Sequence, residues 1–106
     1  MKQKIYSIFD RATSDHAMPF VAATDEAAFR LVRGSFAPQS QLILYPADYS
    51  VVQLGNFDSE TGIIDPEYKV IEELSALIPV GLREYALDGT FGGVSDEKKK
   101  DTPAQG

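Results

Sequence analysis

Six side chains have the types and the interleaving needed to hold a nucleic-acid strand: Lys2, Lys4, Tyr6, Arg11, Arg30 and Arg33. Proteins that bind single strands combine a basic groove for phosphates with aromatic rings on which bases stack. Phe20 offers a further ring. The competing reading makes Tyr6, Phe9 and Phe20 core residues and leaves the cations as ordinary surface charge. Charge placement bears on the choice. The net charge is −6 over 106 residues. Residues 1–37 carry five basic and four acidic side chains, whereas residues 38–94 carry two basic and nine acidic. A chain so balanced repels nucleic acid as a whole, so phosphate contacts must come from the first third. The same imbalance supports a second class of function, an acidic interaction module that mimics DNA or docks on a basic partner.

Other chemistry finds little support. His16 is the single histidine, with Ser14 and Asp15 beside it. A catalytic triad needs its members to meet through the fold, with the base oriented by a third group. Neighbours in a polar loop do not meet that condition, so His16 reads as a solvated loop residue. Asp58, Glu60 and Asp65 suggest calcium, yet Gly62 falls at the fifth loop position and Lys69 at the twelfth, and the EF-hand pattern fails at both. Gly89, Gly92 and Gly93 share only composition with a phosphate loop. The chain has no cysteine, which excludes disulfides, thiolate metal sites and cysteine catalysis. The expectation is a non-enzyme with no metal and no cofactor.

The elements that must position these residues are those of an α+β domain. Residues 2–10 read as a strand through Ile5, Tyr6, Ile8 and Phe9, with apolar groups on both faces. Residues 11–18 are polar and loop-like, and residues 20–23 suit a short strand. Residues 24–33 form the clearest helix: Thr24 suits the N-cap, Asp25 and Glu26 the first turn, and Gly34 the stop. Ala28, Leu31 and Val32 are expected to pack on the sheet. Leu42, Ile43, Leu44 and Tyr45 fit a strand or one helical turn, and periodicity does not choose between them. Residues 49–57 read as a strand, residues 58–62 as a hairpin loop, and Ile63 and Ile64 as the start of a return strand.

Asp65-Pro66-Glu67 then carries helix-start chemistry. Tyr68, Ile71, Leu74, Leu77 and Ile78 follow at helical spacing, so a second helix is expected after the hairpin, stopped by Pro79 and Gly81. Residues 1–87 form one domain on this reading, and residues 88–106 a flexible tail. Lys98, Lys99 and Lys100 lie in that tail between Asp96, Glu97 and Asp101, which cancel their charge. The fold expected is a small antiparallel sheet with one helix packed on it and a second helix after the hairpin. A core of this size leaves apolar groups short of cover, and Leu42, Ile43, Leu44 and Tyr45 are the candidates for a homodimer interface.

The stretch from Tyr45 to Gly62 is similar to a signature of the small nonstructural protein of gokushoviruses, tailless phages with circular single-stranded DNA. It has a proline and an acidic-aromatic pair before a strand, here Pro46, Asp48 and Tyr49. A Leu54-Gly55-Asn56-Phe57-Asp58 segment and an acidic Thr61-Gly62 turn follow. The opening residues 4–10 and the segment 19–28 also resemble that family, so the likeness covers roughly residues 1–65. The resemblance implies a nonstructural phage protein in the host bacterial cytoplasm. It would act in genome replication or packaging on single-stranded DNA or with phage or host replication proteins. The resemblance brings no catalytic residue. The start Met1-Lys2-Gln3-Lys4-Ile5 lacks the apolar stretch of a signal peptide, and no run approaches the ~18 apolar residues of a membrane span.

Overall fold

β1 (Lys2–Asp10) is flanked by partner strands along both of its edges. The computed structural model describes residues 1–92. β4 (Tyr49–Asp58) runs antiparallel to β1 over its whole length, from Lys2 opposite Asp58 to Asp10 opposite Tyr49. Two short strands share the other edge of β1. β2 (Asp15–His16) pairs with Phe9 and Asp10, and β3 (Phe20–Ala22) pairs with Lys4, Ile5 and Tyr6. β5 (Ile64–Glu73) closes the far side of β4. The order among the described residues is β2-β1-β4-β5, with β3 beside β1, an antiparallel sheet of five strands.

Helix α1 (Asp25–Arg33) covers one face of this sheet. Thr24 caps it in an extended conformation, its hydroxyl accepting the Ala27 N–H at 3.1 Å. Ala28 and Val32 are buried against Tyr6, Ala22, Val51, Leu74 and Leu77, and each large side chain so buried contributes roughly 1.5–3 kcal/mol. Leu31, expected on the same face, is instead exposed, because at 3.6 residues per turn it falls about 80° from the line midway between Ala28 and Val32. Gly34 ends the helix with a right-handed φ of −65° and needs no glycine freedom there. The ambiguous apolar segment becomes a single turn, α2 (Gln41–Leu44), capped by the Ser40 hydroxyl. Short 3-10 turns at Pro46–Asp48, Leu74–Leu77 and Val80–Tyr85 fill the end of the sheet beside it.

The second helix is not formed. Residues 65–73 belong to β5, and the chain turns into a 3-10 segment only at Leu74. Asp65 and Pro66 are a sound helix start locally, but the open edge of β4 offers pairing along the whole segment. Residues 64–70 also alternate at period two, with Ile64, Pro66, Tyr68 and Val70 between Asp65, Glu67 and Lys69. Tertiary pairing overrides the local signal. Leu74, Leu77 and Ile78 of the supposed helical stripe are nevertheless buried, as its spacing implied.

The hairpin between β4 and β5 follows its turn chemistry. Gly62 takes φ +76° and donates its N–H to the Asp58 carbonyl at 2.7 Å. Gly55 is required for a different reason. A Cβ there would lie 2.5 Å from the Asp65 carbonyl oxygen, so only glycine lets β5 come this close at the irregularity in register. Asp88, at the start of the expected tail, accepts the Ala47 N–H at 3.0 Å, and residues beyond 92 lie outside the described chain.

Candidate nucleic-acid interface

The expected site divides into residues committed to the fold and residues left on the surface. Tyr6 is fully buried on the helix-covered face, its ring stacked on Phe20 with centroids 5.7 Å apart. Its hydroxyl donates to the Asp25 carboxylate at 2.6 Å. Burial, and then the Asp25 charge, raise the phenol well above its ordinary value. The same hydrogen bond is the main cause that holds the Asp25 carboxyl below its ordinary range, assisted by the Lys4 ammonium 3.5 Å away. Tyr6 is therefore not available to stack on a base, and Lys4 is already paired.

Arg11 is committed as well. Its guanidinium donates to the Ser50 hydroxyl at 2.5 Å, to the Glu73 carboxylate at 2.8 Å and to the Ala47 carbonyl. It thereby ties the end of β1 to the start of β4 and the end of β5. Arg33 donates its Nε–H to the Leu77 carbonyl at 3.3 Å. Lys2 and Arg30 are exposed. Arg30 lies beside a shallow cleft lined by Val21, Ala22, Ala27 and Leu31. Four of the six thus have structural partners within the chain, and the cations are interleaved with Asp25 and Asp58 rather than gathered into a groove.

The proposed dimer residues are also divided. Ile43 is wholly buried within the chain, Leu42 and Leu44 are half-buried, and Tyr45 is exposed. Ile43 cannot contribute to a shared surface, because α2 turns it inward against the end of the fold.

The face of the sheet opposite α1 carries a group of rings that sequence reasoning did not assemble. Phe9 contacts His16, with ring centroids 4.8 Å apart. His16 in turn meets Tyr68 edge-on at 5.6 Å, and His16 Nε2 lies 2.8 Å from the Tyr68 hydroxyl. This clasp passes from β2 to β5 across the fully buried Ser7 and Val52. His16 is thus a residue of a short strand with a specific partner rather than a loop residue, and it stays exposed to solvent as expected. The available signal was the period-two alternation of residues 64–70, which places Tyr68 with Ile64 and Val70. Among the described residues no cluster of three or more His, Cys, Asp or Glu is arranged to hold a metal ion.

Fold and site together define a small α+β module with a charged, helix-covered side and an apolar sheet face. Residues 3–77 match the family model described as Phage ORF5 protein, and the chain belongs to that family. The match runs from β1 through the Leu74–Leu77 turn, beyond the residues 1–65 that carry the resemblance. No curated protein and no solved structure matches the chain significantly. No helix among the described residues is long and apolar enough to cross a membrane.

Proposed function

We propose that this phage protein is a nonstructural, non-enzymatic subunit of a gokushovirus-type single-stranded-DNA phage. It serves genome replication or packaging in the host cytoplasm by docking on a basic partner protein. The observation that carries this reading is the state of the cations. Lys4 and Arg11 are spent on Asp25 and Glu73. Asp65 and Glu67 meanwhile stand exposed along the charged side of β5. Such a surface attracts cationic partners and repels phosphates. A pull-down from infected cells, with and without nuclease, tests it. A basic phage or host protein retained after nuclease treatment supports the reading, and loss of every partner on nuclease treatment refutes it.

Direct binding of single-stranded DNA is the second reading, favoured by the exposed Arg30 beside its cleft. With two or three phosphate contacts, from Lys2, Arg30 and the outer guanidinium nitrogens of Arg33, affinity would fall with salt at a log–log slope of about −1.4 to −2. Arg30→Ala with Arg33→Ala would flatten that slope in fluorescence anisotropy, and changes at Lys98, Lys99 and Lys100 would leave it unchanged. Absence of binding at low salt removes this reading.

A further inference from the structure

We propose that the sheet face turned away from α1 is a self-association surface, on which a second copy of this chain packs face to face. The register defines the surface. Tyr6 and Ile8 face the helix, so Ile5 and Phe9 point the other way. Directly paired residues share a face. Ile5 therefore stands with Val21 on β3, and Phe57 with Ile64 on β5. Alternation along β5 adds Pro66, Tyr68 and Val70. Ile64 is 60% exposed, Val70 57%, Tyr68 56% and Val21 44%. This is a contiguous run of large apolar groups across four strands, with nothing among the described residues packed over its outer half.

Charge selects the occupant. Asp65, Glu67 and Lys69 alternate onto the helix-covered side, where Glu67 accepts a hydrogen bond from Asn56 at 2.8 Å. The charged groups that the strands and the adjoining loop bring to the apolar face are Arg11 and Glu73, which neutralise each other at 2.8 Å. Apart from Arg30 at the β3 edge, where Val21 also borders its cleft, a nucleic acid finds no free cation there. A second copy meets no like charge, which is the condition a twofold, self-complementary contact must satisfy. Pairing through the free edge of β5 is a poorer route, since Pro66 lacks an N–H and the edge is irregular in register.

Area is sufficient. The exposed apolar groups amount to roughly 600 Å² per copy, the upper end of the range for the largest patch on a typical monomer and a size that often marks a functional surface. Two copies would bury about 1,200 Å², the lower bound of stable specific interfaces. Each chain carries −6, so the two copies repel at long range and added salt strengthens their association. That dependence is opposite in sign to the one expected for DNA binding.

The experiment is sedimentation of the full chain at micromolar concentration across a salt series, beside the variant Ile64→Lys/Val70→Lys. Both positions are exposed, so the variant is expected to fold, and its far-ultraviolet circular dichroism checks that. The proposal expects a wild-type dimer that tightens with salt and a dissociation constant raised at least tenfold in the variant. Should the double lysine variant not fold, Ile64→Thr/Val70→Thr is read instead, with the same direction expected. A wild-type monomer overturns the proposal. So does a dimer that survives these changes but dissociates on Tyr45→Lys, which would put the interface at α2.

Discussion

Replacing Tyr6 with phenylalanine isolates one bond and leaves everything else in place. The ring is fully buried and stacked on Phe20, and phenylalanine keeps both contacts. What disappears is the hydroxyl that donates to Asp25 at 2.6 Å, from the centre of the sheet to the first turn of α1. A hydrogen bond to a charged group is worth about 1.5–3 kcal/mol. The Asp25 side chain is 39% exposed and regains water when the hydroxyl is removed, which places the loss near the lower bound, about 1.5 kcal/mol. For a domain of this size that corresponds to a fall in melting temperature of roughly 6–12 °C. The effect depends on pH in a definite direction. Asp25 has its carboxyl lowered by folding, chiefly through Tyr6, so its contribution is complete above the ordinary carboxylate value of about 3.9. That contribution is lost as pH falls through the depressed folded value. Urea denaturation of wild type and Tyr6→Phe at pH 7 and pH 3 should therefore show a gap at neutral pH that narrows in acid. Equal midpoints at pH 7, or a gap unchanged at pH 3, would refute the reasoning.

Three further changes test other parts of the structure. Gly55→Ala forces a Cβ against the Asp65 carbonyl and should cost about 1–3 kcal/mol in urea denaturation, while Gly81→Ala, with open space around it, should cost far less. Wild-type stability in Gly55→Ala would show that β5 shifts freely. Arg11→Met should weaken the junction of β1, β4 and β5; in a double-mutant cycle with Glu73→Gln the coupling should stay below about 1 kcal/mol, because both side chains are partly in water. Gln53→Leu removes a buried side-chain oxygen with no hydrogen-bond partner among the described residues, at the loss of the long 3.4 Å bond from Gln53 Nε2 to Asn56, and should leave stability unchanged or raise it by about 1 kcal/mol in thermal denaturation.

Local chemistry was readable wherever the fold respects it. Thr24 caps α1, Gly62 turns the hairpin, and β1 and β4 lie where their β-branched and aromatic residues put them. Residues 65–78 carry two valid signals in conflict. Asp65 and Pro66 favour a helix start, and the alternation from Ile64 to Val70 favours a strand. The choice rests with β4, which lies in register beside the segment, and a one-dimensional pattern does not contain that neighbour. The internal partners of the candidate-site cations were not legible for a related reason. Lys4 and Arg11 are cations in sequence, but Asp25 lies 21 residues from Lys4 and Glu73 lies 62 from Arg11. Only folding brings those carboxylates to them. Tyr6 was legible as core on its own, since the alternative reading of the aromatic residues had already placed it there.

The position of β1 at the centre of the sheet has a kinetic consequence. The first of the described strands finds β2 and β3 within its own neighbourhood, but its longest partner ends at Asp58 and the strand beyond that at Glu73. Residues 1–33 can therefore assemble a small local unit of β1, β2, β3 and α1, while one side of β1 waits for chain not yet made. Closure of that side joins residues at sequence separations of up to 56, from Lys2 to Asp58, and topologies dominated by such distant pairings fold slowly, in milliseconds to seconds. Docking of the 49–73 hairpin onto β1 is thus the step expected to limit folding, which stopped-flow refolding of variants at the β1–β4 seam would check.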